Sequence, residues 1–165
     1  MPPEPLLNLD LSDILVVLAL AASPISELRG AIPVAITGFH FPWYYAFLLA
    51  IIGNLLPVPF ILLFLDSISR LLSKVRFFDS ILKWLFERTR RRGKIIERYE
   101  RIGLALFVAI PLPVTGAWTG SLAAVLLGLR FRHAFLAIFI GVLIAGVIVT
   151  CATLLGWTIF GLWRA

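Results

Sequence analysis

The chain has 165 residues, of which 61% are hydrophobic and only 15% are charged. This composition excludes an ordinary soluble domain and a disordered chain, and the single cysteine excludes an internal disulfide. Of the 24 charged residues, 16 lie between Asp66 and Arg101, and 11 of those are basic, which accounts for the net charge of +6. The chain is therefore predicted to be an all-α integral membrane protein with one basic, water-facing segment.

The first predicted element follows a short N-terminal segment. Residues 1–12 contain three prolines and are predicted to form a mobile tail, in which Asp10 or Ser12 caps the next helix. This acidic flank has no basic residue before Arg29, which is unlike a cleaved signal peptide. From Ile14 to about Phe39 the chain is apolar. The interruptions in this stretch are Pro24, Glu27, Arg29, Gly30 and Pro33.

Three further apolar stretches follow. Residues 43–65 and 134–163 are uncharged and long enough to cross the hydrocarbon core of about 30 Å. Residues 102–129 carry Pro111, Pro113, Gly116 and Gly120 near the middle. Breaks in a membrane helix are tolerated where protein or a water-filled cavity surrounds the backbone, so the first and third stretches are predicted to be re-entrant helical hairpins. The alternative is a proline-kinked straight span.

The segment between the halves, residues 66–101, has apolar residues at helical spacing with basic residues between them. It is predicted to be a basic amphipathic helix on the cytoplasmic membrane surface, where it contacts membrane lipids. No nucleic-acid partner is expected, because the positive-inside rule accounts for these charges. Arg130 and Arg132 are then also cytoplasmic, which returns both ends of the third stretch to one side.

The two halves resemble each other in sequence. Gly38–Phe41, Ala46–Leu48 and Ile52–Gly53 correspond to Gly128–Phe131, Ala134–Leu136 and Ile140–Gly141. With opposite orientations, this similarity predicts an inverted repeat of re-entrant hairpin plus transmembrane helix within a single membrane domain, with a substrate site near the bilayer midplane. The predicted organisation is a tail (1–12), a first half (13–65), the amphipathic segment (66–101) and a second half (102–163).

Glu27 and Arg29 are the strongest candidates for function, because ionisable residues within a membrane segment are costly and mark an ion or substrate path. Burial favours the protonated form of a carboxylic acid, so Glu27 is the candidate proton-coupling residue. Arg29 is the candidate for holding an anionic substrate through its planar fork of donors. Ser26 and Gly30 flank this pair as further substrate contacts. The alternative is that the charged pair only anchors a hairpin at the membrane interface.

The remaining candidates are uncharged. In the second broken stretch, a helix terminus could bind an anion together with Thr115, Gly116, Trp118 and Thr119. Asn54 is either a contact between helices or a polar group in a cavity. The prolines predicted to break the hairpins are Pro24, Pro33, Pro111 and Pro113. His40 and His133 lack nearby partners for a metal site, and no catalytic constellation, metal or cofactor is predicted.

Two segments, Glu27–Pro33 (ELRGAIP) and Ile110–Trp118 (IPLPVTGAW), resemble the signature segments of the prokaryotic small multidrug export protein family. More distantly, the two halves resemble the DedA (VTT-domain) superfamily. That resemblance implies paired re-entrant hairpins in the inner membrane and proton-coupled transport of an anionic lipid such as polyprenyl phosphate. The sequence departs from the DedA pattern around Pro111, where that superfamily carries arginines and this chain is uncharged.

The leading hypothesis is thus a multi-pass transporter of a lipid phosphate and not an enzyme. The alternatives are an exporter of small cationic drugs, a passive lipid scramblase or channel, and a structural membrane subunit. A homodimer is expected, because so few elements leave two hairpins to be shielded from lipid.

Overall fold

The computed structural model describes residues 10–72, 93–112 and 115–164. Within these ranges the regular elements are all helical and no strand occurs, so the predicted all-α fold class is confirmed. The elements are α1 (Leu11–Ala22), α2 (Glu27–Pro33) continuing as a π-helical turn (Val34–Gly38), α3 (Trp43–Leu55), α4 (Pro57–Leu72), α5 (Gly93–Ala109), α6 (Ala117–Leu126) and α7 (Phe131–Arg164). Residues 1–9 of the predicted tail, residues 73–92 of the predicted amphipathic helix, and Pro113 lie outside the described residues.

Among the described residues, two stretches are long and apolar enough to cross a membrane. They are Trp43–Phe64, with 22 residues, and Phe131–Gly156, with 26 residues. A helix rises 1.5 Å per residue, so 22 residues extend about 33 Å, which suits a hydrocarbon core of about 30 Å. Large apolar side chains such as Leu48, Phe60 and Ile144 stay exposed along these stretches. Both predicted spans are therefore present as candidate membrane helices, and the second begins three residues earlier than predicted.

The chain divides into two compact units, of which the first comprises Met1–Leu56 and Leu143–Ala165. Helix α1 begins as predicted at its Asp10 cap, because the Asp10 carboxylate accepts a hydrogen bond from the Ser12 N–H at 3.2 Å. It ends at Ala22, two residues before Pro24, since proline cannot continue a helix. Helices α1 and α2 pack against each other, and both pack against α3.

Pro33 changes the winding of its helix without ending it. It is the last residue of α2, and the chain continues directly into the π-helical turn Val34–Gly38. A proline has no N–H to donate, so the regular hydrogen-bond ladder cannot pass through it, and the backbone widens locally. The Thr37 hydroxyl donates to the Pro33 carbonyl at 2.8 Å, which adds a side-chain hydrogen bond within the wider turn.

Glycines allow the close helix contacts of the first unit. A Cβ added at Gly53 of α3 would lie 2.6 Å from the Cβ of Ala21 and 2.9 Å from the carbonyl oxygen of Leu18. A Cβ at Gly146 of α7 would lie 2.8 Å from the ring of Phe47. Gly53 occupies the middle of the stretch Trp43–Phe64, so the end of α1 lies beside the middle of a candidate span.

The second unit, Pro57–Val142, contains α4, α5, α6 and the start of α7. Helix α6 packs against α4 and α5. A Cβ at Gly141 of α7 would lie 2.7 Å from the carbonyl oxygen of Ala105 and 2.7 Å from the Cβ of Val108. Helix α5 ends at Ala109, just before Pro111, so Pro111 lies between two helices, as Pro24 does.

Candidate functional site

The turn between α1 and α2 is held by backbone hydrogen bonds. The N–H of Glu27 donates to the carbonyl of Ser23 at 3.1 Å, and the N–H of Gly30 donates to the carbonyl of Ser26 at 3.1 Å. Pro24 lies inside this turn. Glu27 therefore follows this turn directly and is the first residue of α2.

Glu27 has an uncommon backbone conformation. Its φ is 49°, in the left-handed region that favours glycine, and its side chain is buried. A residue other than glycine in this region carries a conformational cost of about 1 kcal/mol or more, and such residues cluster at functional sites. Glycine would adopt this backbone without strain. The backbone conformation alone therefore favours glycine at this position, and the chain has a glutamate instead.

Arg29 contacts Glu27 directly. Its Nη2 lies 3.7 Å from Oε2 of Glu27, and the side chains are 20% and 4% exposed, respectively. Residues two apart in a regular helix point to different sides, but here the first of the two begins the helix with a left-handed backbone. The two charged side chains thus lie side by side, with the acid buried and the cation partly accessible.

Ser26 and Gly30, predicted as substrate contacts, pack against each other. A Cβ at Gly30 would collide with the Ser26 hydroxyl, so the absence of a side chain at Gly30 makes room for Ser26 beside the charged pair. Both residues are half-buried. Together Ser26, Glu27, Arg29 and Gly30 form one compact cluster at the start of α2.

Asn54 is fully buried on α3, directly after the glycine that contacts the end of α1. Neither its amide nitrogen nor its amide oxygen has a hydrogen-bond partner within the described part of the chain. Buried polar side chains are normally paired, so this residue needs an explanation.

The predicted contacts of the second broken stretch belong to the other unit, and their hydroxyls bond to backbone. Thr115 donates to the carbonyl of Ile110 and accepts from the N–H of Leu112 at 3.1 Å. Thr119 accepts from the N–H of Gly116 at 3.1 Å. Trp118 is half-buried. These bonds close the end of α5 and the start of α6, so they account for both threonines structurally.

Thr150 was not among the sequence candidates. It is 5% exposed, and its hydroxyl has no partner among the described residues. A polar residue in an uncharged span is the only sequence signal for Thr150. This signal is weak, because Thr153 and Thr158 of the same helix are also polar, and they simply donate to carbonyls four residues earlier.

The described residues contain no group of three or more His, Cys, Asp or Glu side chains that could hold a metal ion.

Comparison with known proteins gives one match. Residues 27–148, which are 122 of the 165 residues, match the sequence model of a family described as "Putative small multi-drug export protein". No curated protein and no solved structure matches the chain. The matched region begins at Glu27, so it includes the charged pair and both candidate spans apart from the last residues of the second. The chain therefore belongs to the small multi-drug export protein family of membrane proteins.

Proposed function

We propose that this protein is a multi-pass inner-membrane transporter that couples the movement of an anionic lipid, of the polyprenyl phosphate type, to the movement of protons. The observation that carries the proposal is the exposure of the Glu27–Arg29 pair. The acid is 4% exposed and the cation 20% exposed, so the charge that a ligand can reach is positive. An anion is the group that such a charge attracts, and a planar guanidinium suits the oxygens of a phosphate.

The pair also supplies a coupling device. Arg29 has one buried anionic partner, Glu27, and an incoming phosphate competes for the same guanidinium. Protonation of Glu27 removes its charge and frees Arg29 for the phosphate, whereas deprotonation restores the pair and releases the ligand. Proton binding and anion binding therefore favour each other, so that protons and the anion cross the membrane in the same direction.

Repetition of one contact supports the proposed inverted repeat. Gly53 contacts Leu18 and Ala21 in the first unit, and Gly141 contacts Ala105 and Val108 in the second. In both units, a glycine lies against the last turns of a helix that ends before a proline. In each case, it contacts the carbonyl oxygen of one residue of that helix and the side chain of the residue three positions further along. The corresponding positions are separated by 87 or 88 residues, in line with the sequence similarity of the halves.

The proposed topology gives a direct prediction. With Cys151 replaced by serine, single cysteines at Asp10, Ser80 and Phe131 are expected to separate into two groups. Positions 80 and 131 lie in the cytoplasm and position 10 outside, because basic segments stay on the cytoplasmic side. Labelling intact cells with a membrane-impermeant maleimide measures this. Labelling of positions 80 and 131 from opposite faces would rule out the paired hairpins.

A second candidate function is export of small cationic compounds. Two observations favour it: the family's description as a multi-drug export protein, and the buried carboxylate of Glu27, which a cation could bind after displacing Arg29. In this scheme protons and drug compete for Glu27, so that a rise in proton concentration releases the drug.

Transport in proteoliposomes separates the candidates. We expect uptake of a short-chain polyprenyl phosphate that depends on an imposed pH gradient, and no uptake of a cationic dye such as ethidium. The uncharged polyprenol is the matched control, since it has the same chain and lacks the anion. Gradient-driven movement of ethidium alone favours drug export. Movement of polyprenyl phosphate that ignores the gradient indicates a passive scramblase, and movement of neither compound contradicts both transport proposals.

A further inference from the structure

Asn54 is a buried polar residue whose side chain makes no hydrogen bond within the described part of the chain. Its side chain is 0% exposed, and both amide atoms lack partners among the described residues. An asparagine amide has two donor hydrogens and one acceptor oxygen, all of which lose water on burial. The energetic penalty of unpaired buried groups means that an apolar residue would serve the packing better.

The second half of the chain shows that an apolar residue fits this place. Gly53 and Gly141 make the corresponding helix contacts in their units, and the next residue is Asn54 in the first and Val142 in the second. Both residues are 0% exposed. The same position is therefore occupied by a valine in the second half and by an unpaired amide in the first half. Packing alone does not require the amide.

The position of Asn54 associates it with the charged pair. Gly53 lies against Ala21, and Ala21 is one residue before the end of α1. The following turn passes through Ser23, whose carbonyl accepts the N–H of Glu27. Helix α2, which carries the pair, also packs against α3. Asn54 thus lies on α3, which packs against the helix before this turn and the helix after it, and all of these helices belong to the first unit.

We infer that Asn54 is a ligand-contacting residue whose amide donates a hydrogen bond to the tetrahedral oxyanion held by Arg29. The inference rests on the proposed function and adds a specificity-determining residue to it. Arg29 supplies the charge and Asn54 a neutral donor, so these two residues together select a phosphate over an uncharged headgroup. The second half, with a valine at this position and no charged residue in its broken stretch, serves as scaffold for a site built by the first half.

Replacing Asn54 by leucine tests this assignment with two readouts. Leucine has a similar size and no polar atoms, so the melting temperature of the detergent-solubilised protein should stay the same or rise. Affinity for a short-chain polyprenyl phosphate, measured by ligand-induced thermal shift, should fall by about tenfold or more. Thr150→Val is the matched control, since it also removes an unpaired buried group in the first unit and should leave affinity unchanged. Inorganic phosphate and polyprenol are run beside the lipid.

The outcomes separate this inference from the function on which it rests. An equal, Asn54-dependent response to inorganic phosphate supports the oxyanion contact and identifies free phosphate as the ligand. A lower melting temperature for Asn54→Leu, or unchanged affinity, overturns the inference. If Arg29→Ala abolishes binding while Asn54→Leu binds normally, only the role of Asn54 is wrong. If both variants bind normally, the proposed function is wrong as well.

Discussion

Removing the charge of Arg29 is expected to abolish transport of polyprenyl phosphate while leaving the protein in the membrane. The guanidinium is the more accessible member of the pair, so Arg29→Ala removes the cation of this cluster that attracts an anion. Membrane insertion depends on the apolar stretches Trp43–Phe64 and Phe131–Gly156, which the substitution does not touch. Arg29→Lys should retain the charge and lose the planar fork, which reduces transport by about tenfold to a hundredfold.

The companion substitutions at Glu27 distinguish proton coupling from a structural role. Glu27→Gln keeps the size of the side chain but cannot titrate, so transport should become independent of pH between about 5.5 and 8. Glu27→Asp can titrate and should retain more activity than the glutamine variant. Initial rates in proteoliposomes across this pH range, normalised to the amount of inserted protein, provide the measurement. A glutamine variant with the wild-type pH profile contradicts proton coupling, and an alanine variant at Arg29 that also transports normally leaves the pair as a mere anchor.

The sequence was sufficient to predict features that arise from local chemistry. An uncharged run after Trp43 predicts a span, because charged groups are excluded from hydrocarbon. Pro24 and Pro111 predict helix ends, because proline removes a donor and clashes with the preceding turn. The Asp10 cap follows from a short acidic side chain directly before an apolar run. Each of these predictions depends on a few adjacent residues, and the structure shows a candidate membrane helix, two helix ends and one of the two expected caps at these positions.

Features that depend on distant residues were not predictable in the same way. The contact of Gly53 with Leu18 requires knowledge of how α1 crosses α3, which no local pattern contains. The left-handed backbone of Glu27 arises from the turn after Pro24, at a residue type that rarely adopts it. Thr115 shows the opposite case. The sequence makes its hydroxyl a candidate substrate contact, but in the structure this hydroxyl donates a hydrogen bond to the Ile110 carbonyl. A list of polar residues cannot separate those that bond to their own backbone from those, like Asn54, that do not.

Substituting the two repeat-related glycines should have the largest effect on stability. Gly53→Ala places a methyl group 2.9 Å from a backbone oxygen, and Gly141→Ala places one 2.7 Å from the equivalent oxygen, so the packed helices must move apart in either unit. Overpacking of this kind costs about 1–3 kcal/mol, and valine should cost more because its branches lie nearer to the opposing helix. For a chain of this size, each kcal/mol lowers the melting temperature by about 2–4 °C.

Two other glycines of the same chain give matched controls for this prediction. Gly156 in the first unit and Gly103 in the second have no neighbouring atom within 4 Å of an added Cβ. Alanine at these positions should be neutral or stabilise the protein by up to about 1 kcal/mol, because alanine favours the helix more than glycine does. Thermal unfolding of all four alanine variants in the same detergent measures the contrast. Equal melting temperatures for Gly53→Ala and Gly156→Ala would contradict the close crossing of α1 and α3. Equal melting temperatures for Gly141→Ala and Gly103→Ala would contradict the close crossing of α5 and α7. If both crossings fail this test, the structural argument for a repeat fails with them, because it depends on these two contacts.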